Sequence, residues 1–130
     1  DQCMHQKRTS KKCAEVETSL YMYRQAIRIP LEIESSYRPT VMVSSMIIFN
    51  LALAHQLAAT LSNGPNDKSI LLRAAKLYEH GFNLQQSENF GSNILFTLAT
   101  VNNLGLIHQR LNDNANASKC FHHLLSSLCY

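Results

Sequence analysis

The stretch LATVNNLGLIHQRLNDNANASKCFHHLLSSL, residues 98–128, decides the fold, because apolar residues recur at helical spacing on both sides of a turn. In its first half the large residues fall at steps of three or four, at Val101, Leu104, His108 and Leu111. In its second half the same spacing returns at Ala117, Phe121, Leu124 and Leu128. Gly105 allows close approach of two helices, and Asn112-Asp113-Asn114 favours a turn with a helix cap. The stretch therefore predicts two packed antiparallel helices.

Two sets of residues in this hairpin match a known repeat pattern. Val101, Leu104-Gly105 and His108 mark the first helix, and Ala117 with Phe121 marks the second. In this pattern the hairpin resembles a tetratricopeptide repeat, although His108 replaces the usual tyrosine and Leu124 replaces a usual alanine. The resemblance implies stacked helical hairpins and a non-catalytic module for protein-protein interaction.

A second copy becomes visible when the chain is shifted against itself by 53 residues. Residues 50–56, NLALAHQ, then align with residues 103–109, NLGLIHQ, and five of the seven positions are identical. The second helices align at a shift of 43, with Tyr78 opposite Phe121, so a longer loop around residues 62–67 accounts for the difference. The period exceeds the family's roughly 34 residues, and we interpret the chain as a divergent relative with long helices.

The predicted fold is all-α, with about five helices in antiparallel hairpins that stack as a short α-solenoid. With 45% hydrophobic residues and no long strand-like alternation, the composition agrees with this class. We assign 1–12 to a basic N-terminal segment and 13–130 to one helical-repeat domain, with repeats at 41–86 and 93–128. Residues 13–30 are predicted to be the second helix of a partial repeat, because their apolar residues have helical spacing and Pro30 ends the pattern.

Residues 40–66 contain no charged side chain, and 41–61 are long enough to raise a transmembrane helix. Asn50, His55 and Gln56 lie in the middle third of this stretch, where polar groups are costly in hydrocarbon. We therefore expect a buried central helix and no membrane span.

The sequence contains no motif that points to catalysis, a cofactor or a metal. It has no phosphate-binding loop, no His-Glu-x-x-His and no nucleophile elbow. His122-His123 with Cys120 and Cys129, or Cys3 and His5 with Cys13, lack the usual paired zinc spacing. We expect reduced thiols, with Cys120 buried, which favours an intracellular, reducing compartment without identifying it.

The net charge is local. Residues 1–30 have six Lys or Arg against three Asp or Glu, which accounts for the whole formal charge of +3. Binding of nucleic acid or an anionic surface through the lysines of residues 1–12 is the alternative function. A solvated terminus is the simpler interpretation, because no aromatic residues are interleaved for stacking on bases.

The resemblance also implies which residues face a peptide or partner subunit in a concave groove. Carried over by position, they are Met46, Phe49, Asn50, Leu53, Gln56 and Leu57 in one repeat, and Ala99, Asn102, Asn103, Leu106, Gln109 and Arg110 in the other. Asn50 and Asn103 can each bind an extended backbone, since an amide side chain is both donor and acceptor. Alternatively, these asparagines cap or bridge neighbouring helices. If they bind a partner, replacing both with Ala should abolish its capture and leave melting unchanged. The open ends of the solenoid are a second surface, suited to partners or self-association.

Overall fold

The computed structural model describes residues 22–29, 39–62, 64–87 and 94–129, and all regular secondary structure in these ranges is helical. Four helices follow in order: α1 Pro39–Ser62, α2 Asp67–Ser87, α3 Ile94–Arg110 and α4 Asn114–Leu128. The all-α prediction is confirmed for these ranges. The two helix pairs span 39–87 and 94–128, so their outer bounds differ from the predicted repeats 41–86 and 93–128 by no more than two residues.

Consecutive helices pack against one another, and residues of α1, α2 and α3 form the buried core of the described part of the chain. Phe49 on α1 lies at its centre, with ring centroids 5.5 Å from Tyr78 on α2 and 5.7 Å from Phe96 on α3. All three rings are almost fully buried. Aromatic rings of this size provide much of the burial that drives folding of such a short chain. The core therefore ties α1, α2 and α3 together.

The connection between α3 and α4 is set by local hydrogen bonds. Asn112 adopts a positive φ of 60°, and its backbone N–H donates to the carbonyl of Gln109 while that of Asp113 donates to His108. This is the Schellman arrangement, which ends a helix on a left-handed residue and tolerates Asn there. Asp113 then caps α4 by accepting a hydrogen bond from the backbone N–H of Asn116. The predicted turn is confirmed.

Gly105 is the point of closest approach between α3 and α4, as expected from its place in the pattern. A Cβ atom at this position would lie 2.9 Å from Cε1 of Phe121 and 3.1 Å from Cβ of Cys120. Such distances are shorter than van der Waals contact, so only glycine fits here without a shift of the helices.

The prediction of a helix over residues 13–30 is wrong for residues 22–29, which have no regular secondary structure. In a helix the backbone N–H of Ile27 would donate to the carbonyl of Tyr23. Instead, the N–H of Ile27 donates to Asn50 and the carbonyl of Tyr23 accepts from Asn103. The donor and the acceptor of that helical hydrogen bond are thus both bonded to side chains of other helices. The remainder of this predicted helix and the basic segment 1–12 lie outside the described residues.

Helix α1 contains a stretch, Val41–Ser62, that is long and apolar enough to cross a membrane, with a mean hydropathy of 1.6. Length and composition alone support this, and the core helix of a soluble protein satisfies the same criteria. The stretch also supplies Phe49, Leu53 and Ala59 to the core. The absence of a membrane span therefore stays a prediction.

Candidate functional site

Residues 22–29, called the N-terminal segment below, lie across α1 and α3 and are held there by two side-chain amides. Oδ1 of Asn50 accepts from the N–H of Ile27 at 2.7 Å, and its Nδ2 donates to the carbonyl of Ile27 at 2.8 Å. Asn103 makes the same pair of bonds with Tyr23, at 2.8 Å and 2.9 Å. Each amide therefore binds both polar backbone groups of one residue, and we call Asn50 and Asn103 the clamp amides.

The clamp amides occupy equivalent places in the two repeats that the sequence predicts. Each is the first residue of its heptapeptide, Asn50 in NLALAHQ on α1 and Asn103 in NLGLIHQ on α3. Their ligands are four residues apart in the N-terminal segment. Neither amide caps a helix. The other part of the alternative, a bridge between neighbouring helices, holds for Asn103, whose Nδ2 also donates to the hydroxyl of Tyr78 on α2 at 3.1 Å. The 53-residue shift that aligned them in sequence also relates two sites of identical chemistry.

A buried polar chain fixes the orientation of Asn103, which is 0% exposed. The hydroxyl of Tyr78 donates to Oε1 of Gln56 at 2.9 Å, and Nδ2 of Asn103 donates to the oxygen of that hydroxyl at 3.1 Å. Because the Tyr78 proton is directed at Gln56, its oxygen remains as the acceptor, and only the Nδ2 side of the Asn103 amide can face it. Burial raises the pKa of Tyr78 well above its ordinary value, so the hydroxyl keeps this proton. Asn103 is thereby preorganised for backbone binding.

Apolar contacts add to the four clamp bonds. The ring of Tyr23 meets that of Phe49 edge-on, with centroids 6.2 Å apart, and Met22 is buried. Ile27 packs against the edge of the core, whereas Gln25 and Ala26 are exposed. The N-terminal segment is therefore recognised through its backbone and through three of its side chains.

A largely apolar cavity of about 680 Å³ adjoins Met22 and Tyr23 at the α3 and α4 end of the segment. Its lining includes Met22, Tyr23, Leu95, Leu98, Phe121 and Leu128. Leu95 and Leu128 are also strongly exposed, at 72% and 66%. Apolar surface of this kind, rimmed by exposed leucines, is typical of contact sites for other groups.

The residues predicted to face a partner differ in exposure. Phe49, Leu53, Gln56, Ala99, Asn103 and Leu106 are buried, Met46, Asn50, Leu57, Asn102 and Arg110 are partly buried, and Gln109 is exposed. The side-chain Nε2 of Gln56 donates a hydrogen bond to the backbone carbonyl of Asn103 at 3.4 Å. The side chains of Phe49, Asn50 and Asn103 contact the N-terminal segment directly.

Arg110, expected as the charge of the groove, makes its contacts within the chain. Its guanidinium donates to the carbonyl of Ala59 and the hydroxyl of Thr60 near the end of α1, and lies 3.8 Å from the carboxylate of Asp67. These contacts link α3 to the last turns of α1 and to the first residue of α2. Sequence reasoning missed Tyr78 as a support for Asn103, although a tyrosine on an apolar helix face is a signal for a buried hydroxyl that needs partners.

The described histidines and cysteines form no group of three or more potential metal ligands with Asp or Glu. His55 contacts the carbonyl of Leu51 on its own helix, and His108 lies 3.3 Å from the carboxylate of Asp113. Cys120 on α4 was expected to be buried and is only partly buried. Burial still raises the pKa of its thiol. Cys3, His5 and Cys13 lie outside the described residues.

Comparisons with known proteins leave the chain without an assigned family. No protein-family model matches it, and neither a curated protein nor a solved structure does.

Proposed function

We propose that this protein is a non-catalytic helical-repeat module, a short tetratricopeptide-repeat-like α-solenoid, that binds an extended peptide segment of a partner protein. The binding surface is the face of α1 and α3 that lies under the N-terminal segment, and we call it the groove. The observation that supports this proposal is the pair of clamp amides, each bonded to the N–H and the C=O of one residue of non-helical backbone. Every residue of a peptide other than proline offers the same two groups.

Backbone bonding gives the groove affinity without demanding a particular sequence. An intramolecular hydrogen bond of this type contributes about 0.5–1.5 kcal/mol net, so the four clamp bonds together contribute about 2–6 kcal/mol. Association of a separate peptide costs at least about 4 kcal/mol in lost freedom. We therefore expect apolar side chains of the peptide to supply the rest of the binding free energy, as in other modes of extended-peptide recognition.

Peptide selection on the full-length chain tests the proposal. The bait carries Ile27→Pro, which removes the N–H that donates to Asn50 and so loosens the N-terminal segment without altering either clamp amide. We expect 12-residue peptides from a random display library to be enriched on this bait. A second bait with Ile27→Pro and Asn50→Ala should bind the enriched peptides at least about fivefold more weakly, since two charge-neutral hydrogen bonds are lost.

The matched control combines Ile27→Pro with Asn83→Ala, because Asn83 is an exposed helical asparagine on α2. This bait should retain all of the binding. Circular dichroism establishes that each bait has the same helix content. Failure to enrich any peptide, or enrichment that is indifferent to Asn50, contradicts the proposed function.

A further inference from the structure

We infer that the N-terminal segment is the groove's own ligand and that external ligands share its pattern. The pattern is a large apolar residue, an aromatic residue directly after it, and an apolar residue four positions after the aromatic. This inference rests on the proposed function, because it names the ligand class and the regulation of the same groove. Three observations support it.

First, the clamps set a spacing of four residues. Asn103 binds the backbone of Tyr23 and Asn50 binds that of Ile27, so any ligand that uses both amides places two residues, i and i+4, against them. The direction is also set. The ligand's N-terminal end lies beside α3 and α4, where Met22 lines the apolar cavity, and its C-terminal end lies at α1.

Second, the side chains at and beside these positions are selected by their surroundings. Met22 is 7% exposed and Ile27 is partly buried against the core, whereas Tyr23 is 42% exposed and is held on one side only, by the edge-on contact of its ring with Phe49. Burial of each such apolar side chain contributes about 1.5–3 kcal/mol when complete. Gln25 and Ala26 are exposed, so the groove does not constrain their identity.

Third, an empty groove leaves polar groups to be satisfied. Of the four hydrogen bonds of the Asn103 amide, two go to Tyr23 and two to the protein itself, through Tyr78 and Asn102. Departure of the N-terminal segment frees one donor and one acceptor on a side chain that the protein holds in place. These groups need water or another backbone. The clamp thus favours an occupied groove, whichever chain supplies the occupant.

Because the N-terminal segment is attached to the module, it competes at an effective concentration on the order of millimolar for short links. The apparent affinity for an external peptide is reduced by the fraction of molecules in which the groove is open. Partners therefore bind when they match the pattern better than the chain's own segment, or when that segment is displaced.

A labelled peptide with the chain's own sequence, YMYRQAIRIP (residues 21–30), tests the inference by fluorescence anisotropy against full-length protein. The wild-type chain should bind it weakly, and the Ile27→Pro chain about two- to tenfold more tightly, because the internal competitor has lost a clamp bond. Ala26→Pro is the matched control. Ala26 is exposed and takes part in none of the four clamp bonds, so this chain should behave as wild type.

The pattern is tested on the peptide itself. Peptides with Tyr23→Ala or Ile27→Ala should lose at least about tenfold in affinity for the Ile27→Pro chain, whereas one with Gln25→Ala should not. If Ile27→Pro unfolds the protein, Tyr23→Ala in the full chain replaces it, since this change weakens the segment's packing on Phe49 and leaves its backbone bonds in place.

The outcomes separate the inference from the proposed function. Equal affinity of wild-type and Ile27→Pro chains shows that the N-terminal segment does not compete, and equal affinity of all peptides removes the pattern. Either result overturns the inference while peptide binding stands. Absence of binding in every combination overturns both. A dimer in sedimentation that dissociates on Asn50→Ala places the segment of a second copy in the groove, which also overturns the intramolecular assignment.

Discussion

Replacing Asn103 with alanine tests the buried polar chain most directly. Besides the long 3.4 Å hydrogen bond from Asn102, the substitution removes three shorter bonds: those to the N–H and the carbonyl of Tyr23, and that to the hydroxyl oxygen of Tyr78. The bond from Tyr78 to Gln56 is retained. At about 0.5–1.5 kcal/mol each, the three losses amount to about 1.5–4.5 kcal/mol, and the higher helix propensity of alanine returns about 0.5–0.7 kcal/mol. We expect Asn103→Ala to destabilise the protein by about 2–3 kcal/mol.

The same substitution at Asn50 should cost less. Asn50 is only partly buried and makes two of these bonds, so water can replace part of what is lost. We expect about 1 kcal/mol for Asn50→Ala by the same estimate. These values correct the expectation that removing both asparagines leaves melting unchanged, since a side chain that is 0% exposed cannot be truncated without leaving its partners unsatisfied.

Urea unfolding followed by circular dichroism at 222 nm measures these differences. Asn83→Ala is the control, because it exchanges an exposed helical asparagine and should leave stability unchanged or slightly raised. The predicted order of stability is Asn83→Ala, then Asn50→Ala, then Asn103→Ala. Stability of Asn103→Ala equal to that of Asn83→Ala would refute the argument, because the buried bonds would then contribute nothing.

Two further predictions concern the connection of α3 to α4. Gly105→Ala should destabilise by about 1–2 kcal/mol in urea unfolding despite a helix-propensity gain of about 1 kcal/mol, because its Cβ would lie 2.9 Å from Phe121. Gly81→Ala, with no neighbour nearer than 3.4 Å, should be neutral or stabilising, and equal results for the two glycines would contradict the packing argument. Hydrogen bonds from Asn116 lower the pKa of Asp113 below its ordinary 3.8. The ionised carboxylate therefore stabilises the folded protein above that pH, and this contribution is lost as the pH falls through the lower pKa of the folded state. Wild type should therefore have a larger free energy of unfolding than Asp113→Asn at pH 7, and this difference should vanish in acid. A difference that does not change with pH would show that the charge is not involved.

Much of the helical framework could be predicted from sequence because it depends on local chemistry. The apolar spacing of residues 98–128, the turn at Asn112 and the close approach at Gly105 are all encoded within one or two turns of chain. The repeat shift of 53 residues also identified Asn50 and Asn103 as an equivalent pair with amides suited to backbone binding. Each of these inferences needs only the periodicity of a helix and the hydrogen-bonding capacity of a side chain.

The matched positions of the two repeats nevertheless differ in burial. Tyr78 is buried beneath α3 and bonded to Asn103, whereas its counterpart Phe121 is only partly buried and lines the apolar cavity. Leu51 and Leu104 differ in the opposite sense, since Leu51 is exposed and its counterpart Leu104 is partly buried. Burial depends on which element packs over a residue, and the alignment of one repeat on another carries no information about that neighbour.

By itself the sequence determined where the four helices between Pro39 and Leu128 lie, which glycine brings two of them together, and which two asparagines correspond. Only the tertiary structure decided what those asparagines bind. Tyr23 and Ile27 stand four residues apart, a spacing that suits one stripe of a helix and equally suits two amides on neighbouring helices. The choice between the two depends on whether the backbone groups of these residues find better partners outside the segment. The amides that provide those partners lie 23 and 80 residues further along the chain.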